Sequence, residues 1–218
     1  MIVSHKNTNT IGDFANTWPF ISQLAKAAGP IEITLPPVYT KFVGLREFLE
    51  YQVFVKSVDF DDRDSHVDVQ AHANWSSSTE PRRCYYTADQ FQIPIDRALT
   101  LRVEDIDIPD KVVNKTIVID RTRNNILSHT NWFKSEDYYW LDFSKPLSYN
   151  INVCLKASRV IATFTGLPVI LDLFHKEFDL IWFDDINGPL SYREHFFSER
   201  NSKLIYYKDY QHIQHTAK

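Results

Sequence analysis

The sequence predicts an α/β fold in two halves, each a mainly parallel sheet with its helices, facing each other across a cleft. Three observations carry this. Apolar runs of strand length alternate with amphipathic stretches along the chain. A charged connector at 101–114, interrupted by a proline, breaks that rhythm near the middle. Only five glycines occur in 218 residues, and two of them, Gly12 and Gly166, begin helical patterns. The boundary falls between 102 and 103, giving an amino-terminal half 1–102 and a carboxy-terminal half 103–218.

In the amino half, Met1–Val3 reads as a buried strand and His5–Thr10 as a polar loop. Gly12-Asp13 opens a helix with apolar residues at Phe14, Trp18, Ile21, Ala25 and Ala28, a spacing that keeps one face apolar. Gly29-Pro30 marks a turn. Ile31–Leu35 alternates as a strand and Pro36-Pro37 ends it. Tyr39–Tyr51 reads as one helix with Phe42, Leu45, Phe48 and Leu49 inward, and Phe54–Phe60 as a strand. Asp59, Asp61, Asp62 and Asp64 surround Arg63 in what is expected to be a solvated loop; a metal site would need those carboxylates to converge. His66–Ala73 alternates as a strand that ends in the polar loop Asn74–Thr79. Pro81–Phe91 reads as a helix.

In the carboxyl half, Thr116–Asp120 is a strand running directly into Arg121 and Arg123. The stretch Trp132–Tyr139 carries no clear pattern. Strands are expected at Tyr138–Phe143, Arg159–Phe164 and Leu180–Phe183. Helices are expected at Asn150–Ala157, Pro168–His175 and Pro189–Arg200, and a loose tail from Tyr206 to Lys218.

Composition narrows the function classes. The chain is 44% hydrophobic and 24% charged with a net charge of −4, so it has no global attraction to nucleic acid or anionic membrane. A local basic groove remains open. No apolar stretch reaches membrane-spanning length, and Met1–Val3 is too short for a signal peptide, so a cytoplasmic location is expected. Cys84 and Cys154 form no CxxC pattern, which disfavours a zinc site or disulfide framework. The absence of GxGxxG argues against a flavodoxin-like or dinucleotide-binding redox domain.

Three constellations carry chemistry. Gly12-Asp13 places a carboxylate at the first turn of a helix that follows a strand, where α/β folds put their ligands; its plainer reading is a helix cap. Arg121 and Arg123 follow a strand end, where planar guanidinium donors suit phosphate; their plainer reading is surface arginines. Thr163, Thr165, Gly166 and Leu167 lie at a strand-to-helix junction. Its free N–H groups and dipole suit a diphosphate, and Gly166 allows close approach. In the amino half, Arg82 and Arg83 follow a strand end, where a ligand would be reached.

These residues resemble the GT-B glycosyltransferases, and among them the heptosyltransferase-like branch. That branch opens with a strand, a loop and Gly-Asp, with Thr and Pro four and six residues after the Asp; here these are Gly12, Asp13, Thr17 and Pro19. Near its end it carries a strand, a Thr/Ser-Gly turn and a helix, matched by Arg159–Leu173 with Thr165-Gly166. The chain departs from the pattern at Thr163 and Phe164, where an acidic residue or asparagine usually precedes the turn. Arg121 or Arg123 stands in for the usual lysine.

The resemblance implies two Rossmann-like halves in a compact GT-B arrangement and sugar transfer from a nucleotide-diphosphate donor, a UDP-sugar by expectation. Asp13 would be the general base, Gly12, Arg121, Arg123, Thr163, Thr165, Gly166 and Leu167 the donor site, and Trp75, Arg82 and Arg83 the acceptor site. No metal or other cofactor is called for if the protein supplies the positive charge. A compact transferase of this kind also fits a bacteriophage enzyme that modifies DNA, adding arabinose or glucose, for example, to a flipped-out hydroxymethylated pyrimidine. It would then act in the host cytoplasm. A glycan or lipopolysaccharide acceptor is the rival within the class. Outside it stands a non-catalytic protein that sequesters a nucleotide and has no need of Asp13.

Overall fold

The computed structural model describes residues 1–6, 10–69, 99–120, 127, 132–187, 197 and 201–207. The chain divides into two compact units. One is Met1–Asp105 together with Phe143–Ser148; the other is Ile106–Asp142 together with Tyr149–Lys218. The excursion at 143–148 is absent from the single-connector expectation.

The first unit is built on a parallel sheet of order β3-β2-β1-β4. Its strands are β1 (Ile2–Ser4), β2 (Ile31–Thr34), β3 (Val55–Asp59) and β4 (Val67–Asp68). Val3 pairs with Ile33 and Val67, and Ile33 with Val58, putting branched side chains in line across the sheet. The helix expected after Gly12 is two helices, α1 (Ile11–Ala15) and α2 (Trp18–Ala28). Pro19 is the reason. It has no N–H, and inside a continuous helix its ring would collide with the carbonyl of Ala15. The chain therefore restarts with Pro19 in the first turn of α2, where a missing N–H costs nothing. Thr17 closes the break: its N–H and its hydroxyl both donate to the Phe14 carbonyl, at 2.9 and 2.7 Å. The apolar stripe survives, with Phe14 edge-on to Trp18 and Trp18 packed on Phe48.

The single helix expected over Tyr39–Tyr51 is likewise broken. A 3₁₀ turn covers Pro37–Lys41 and α3 covers Leu45–Glu50. Gly44 between them has φ +75°, and a Cβ there would lie 2.9 Å from the Pro146 Cβ. The Leu147 N–H donates to the Val43 carbonyl at 2.8 Å, so the segment 143–148 docks on this turn. Leu45, Phe48 and Leu49 are buried as expected, and Phe42 is half-buried. In the aspartate cluster Arg63 reaches Asp59 at 2.7 Å and Asp61 at 3.7 Å. The Thr34 hydroxyl donates to the Asp61 carbonyl at 2.9 Å. The half-exposed loop is thus tied to the end of β2. Only Val67 and Asp68 of the strand expected over His66–Ala73 are paired, and its end, the loop at 74–79 and the helix at 81–91 lie outside the described residues.

The second unit is built on a parallel sheet of order β6-β5-β7-β8-β9. After α4 (Asp110–Val113) come β5 (Thr116–Ile119), β6 (Tyr138–Trp140), α5 (Leu147–Lys156) and β7 (Val160–Thr163). They are followed by α6 (Gly166–Leu173), β8 (Phe178–Phe183), α7 (Asp184–Asn187) and β9 (Ser202–Tyr207). Because α5 begins at Leu147, its first two residues group with the first unit. The strand β9 corrects the expectation of a loose tail from Tyr206. It runs in unbroken register beside β8, from Phe178 with Ser202 to Phe183 with Tyr207. Its entry is fixed by Asn201, whose buried amide donates to the backbone carbonyl and carboxylate of Asp172 at 3.1 and 3.0 Å. The residues beyond 207 and the helix expected at 189–200 lie outside the described residues, Phe197 excepted.

Helix ends in this unit are closed by specific groups. The Lys176 ammonium donates to the carbonyls of Ala157 and Leu155 at 2.6 and 3.3 Å, at the carboxyl end of α5. Burial there lowers its pKa. Cys154, fully buried close by, has its thiol pKa pushed far up by burial. His175 takes φ +57° after α6. This lets the His175 and Lys176 N–H groups reach the carbonyls of Asp172 and Leu171, both at 3.0 Å, as a Schellman closure.

Gly44 is an exacting backbone position in the first unit. Gly44→Ala is expected to destabilise the protein by about 1–3 kcal/mol, through the positive φ and the collision with Pro146. Denaturant unfolding measures this, and an unchanged midpoint would contradict the packing described.

Candidate functional site

In the first unit the polar groups gather at the carboxyl end of β1. The strand stops at Ser4, whose hydroxyl meets that of Ser65 at 2.7 Å. His5 follows and is fully buried, with Nδ1 3.0 Å from the Tyr39 hydroxyl. The Lys6 N–H reaches the Asp68 carboxylate at 3.5 Å. Thr10 is the N-cap of α1, with extended backbone. Its Oγ1 lies 3.4 Å from the Asp13 N–H, and its hydroxyl donates to Asp13 Oδ2 at 2.5 Å. Asp13 is therefore not the cap that its plainer reading made it. It is the third residue of α1, half-buried, where the positive end of the helix dipole favours a carboxylate. Gly12 is buried beneath it in the same turn.

In the second unit the polar groups gather at the carboxyl ends of β5, β7 and β8. Asp120 follows β5 directly. One of its oxygens accepts the Leu127 N–H at 2.7 Å, and the other accepts the Thr163 hydroxyl at 3.2 Å. Thr163 is fully buried, and its hydroxyl is committed to joining the ends of β5 and β7. Thr165 is the N-cap of α6 but makes no side-chain cap bond. Its Oγ1 is buried and has no hydrogen-bond partner among the described residues. A buried hydroxyl without a partner costs free energy, so its place suits a polar ligand atom. Helix geometry leaves the Gly166 and Leu167 N–H groups without intrahelical acceptors, while Pro168, third in α6, has none to leave. Below this turn Phe164 stacks on Trp182 with ring centroids 5.1 Å apart.

Beside β7, Asp184 opens α7 and takes the Tyr206 hydroxyl on Oδ2 at 2.5 Å. That bond to a carboxylate raises the tyrosine pKa. The other carboxylate oxygen of Asp184 is buried without a hydrogen-bond partner among the described residues. No group of His, Cys, Asp or Glu among the described residues is placed to hold a metal ion, and no helix there is long and apolar enough to cross a membrane.

Of the residues singled out from sequence, Gly12 and Asp13 stand together at the end of β1, and Thr163, Thr165, Gly166 and Leu167 at the end of β7. Arg121, Arg123, Trp75, Arg82 and Arg83 lie outside the described residues. Five residues were not singled out: His5, Thr10, Tyr39, Asp120 and Asp184. His5 and Asp120 each stand at the end of an apolar run, the one signal that pointed to them. Nothing local marks Tyr39, whose role depends on a partner 34 residues away.

No family model matches the sequence, and a search of curated proteins finds no match. Solved structures share the fold. The heptosyltransferase WaaC of E. coli, solved with ADP, superposes with a TM-score of 0.59 at 10% identity, over 96% of this chain and 94% of that one. A glycosyl transferase family 9 protein from Veillonella parvula gives 0.60 at 9%, over 94% of this chain and 86% of that one. TibC, a bacterial iron-containing dodecameric glycosyltransferase from enterotoxigenic E. coli, gives 0.55 at 11%, over 95% of this chain and 62% of that one. At such identities the likeness is one of fold: the chain is α/β, with two parallel sheets and their helices, as in GT-B glycosyltransferases.

Proposed function

We propose that this chain is a glycosyltransferase that moves a sugar from a nucleotide-diphosphate donor to an acceptor hydroxyl. The observation that carries the reading is the start of α6. A parallel strand ends there in a buried hydroxyl with no partner among the described residues and a helix amino terminus. Such a turn stabilises the negative charge that a departing diphosphate gains, because its dipoles are already oriented. Arg121 and Arg123, next along the chain from Asp120, add fixed positive charge. Asp13 accepts the proton of the attacking hydroxyl, and single displacement inverts the sugar carbon. In this reading the second unit holds the donor and the first the acceptor.

The residues leave the nucleotide open between a UDP-sugar, expected from the sequence, and an adenine nucleotide, which the ADP in the WaaC structure supports. Two acceptor classes are carried forward: a glycan or lipopolysaccharide, and a hydroxymethylated pyrimidine in phage DNA, the latter resting on Trp75, Arg82 and Arg83. A labelled-donor assay offered both acceptors separates them.

Arg121→Ala and Arg123→Ala are each expected to weaken nucleotide binding by about 1–3 kcal/mol, as loss of a charge-assisted hydrogen bond does. Calorimetry with unchanged affinity in both variants would move the donor site elsewhere. Asp13→Asn is expected to lower transfer by about 10²–10⁴-fold while nucleotide binding survives. Full activity in that variant would remove Asp13 from the chemistry. Tight nucleotide binding by the wild type with no transfer to either acceptor would favour a sequestering protein.

A further inference from the structure

Thr10 bonds the Asp13 carboxylate, and Thr10 is itself held by a contact that helix capping does not require. The Thr10 hydroxyl carries a single proton. An ionised carboxylate can only accept, so that proton goes to Asp13 Oδ2, and the Thr10 oxygen is left to face the Asp13 N–H. This much is the reciprocal pairing of a cap with the third helical residue. A cap does not require the hold on Thr10. Tyr39, on the 3₁₀ turn that follows β2, donates its hydroxyl proton to the main-chain carbonyl of Thr10 at 3.2 Å. Having given its one proton, the Tyr39 oxygen must accept from His5, so His5 carries its proton on Nδ1. Both side chains are fully buried. The Tyr39 ring is wedged edge-on against Phe14, centroids 5.9 Å apart, and tilted against Phe42 at 5.7 Å. The turn after β2 thus braces Thr10, which bonds the Asp13 carboxylate in the first turn of α1.

We propose that Thr10 and Tyr39 are positioning residues for the Asp13 carboxylate in sugar transfer. Thr10 sets the direction of the carboxylate, and Tyr39, locked by His5, sets the position of Thr10. The proposal rests on the transferase reading and on Asp13 as the base. In proton abstraction a displaced base loses rate steeply, while donor binding on the other unit does not feel the change.

The test is steady-state transfer and donor calorimetry on four proteins: wild type, Thr10→Ser, Thr10→Val and Tyr39→Phe. Thr10→Val is expected to lower kcat roughly 10–100-fold with donor affinity and donor KM unchanged. Thr10→Ser keeps the hydroxyl and is expected to restore most of the rate. Tyr39→Phe keeps the ring packing and the fold, and is expected to lower kcat by a smaller factor, again without a change in donor KM. If Thr10→Val and Tyr39→Phe lose melting temperature but keep wild-type kcat, the residues are structural and the proposal fails. If Thr10→Val does not fold, Tyr39→Phe decides alone, and a wild-type kcat there overturns it. A wild type that binds nucleotide but transfers no sugar overturns the transferase reading itself, and this proposal with it. An active wild type with an indifferent Thr10→Val overturns this proposal only.

Discussion

Every strand pairing among the described residues is parallel, in both sheets. A parallel pair cannot be closed by a tight turn; the chain must cross over and return, usually through a helix. Within each unit, strand ends of one sense therefore share an edge, and the first residues of the following helices lie there too. This constraint turns residues far apart in sequence into neighbours. Thr10 and Tyr39 meet because β1 and β2 end side by side. Asp120 and Thr163 meet because β5 and β7 do.

The same constraint sets where buried polar groups are affordable. The strand interiors are apolar, with Val3, Ile33, Val118, Ile119 and Ala162 fully buried. Among the fully buried polar residues, Ser4, His5 and Thr163 stand at the carboxyl ends. Most of these are committed inside the fold, because an unpaired buried polar group is costly. At this edge of the second unit, Thr165 Oγ1 and one oxygen of Asp184 are buried with no partner among the described residues. Their cost is tolerable where a ligand supplies the missing partner.

Much of the architecture was legible before the structure. Apolar runs such as Ile31–Leu35, Thr116–Asp120 and Arg159–Phe164 are short, β-rich and bounded, and each became a strand. What escaped depended on partners elsewhere. The strand at Ser202–Tyr207 begins with polar residues, and its conformation comes from the six-residue register with β8. The broken helices kept their apolar periodicity through the break, so the stripe read as continuous; Pro19 and Gly44 held the information. At the site, Gly12-Asp13 and Thr165-Gly166 were legible as local patterns. Thr10, though inside the loop read as merely polar, is the cap that holds Asp13. Tyr39 and His5 act across strands, and one-dimensional spacing does not register that.

The claim most exposed to test is that the start of α6 receives a nucleoside diphosphate. Titrating the isotope-labelled protein with UDP and with ADP, and following backbone amide signals, reads this directly. The account predicts that the largest shifts fall on Thr165, Gly166 and Leu167, whose N–H groups the helix leaves open, with Asp13 little changed. Saturable shifts centred instead on the end of β1, with those three amides unmoved, would contradict it.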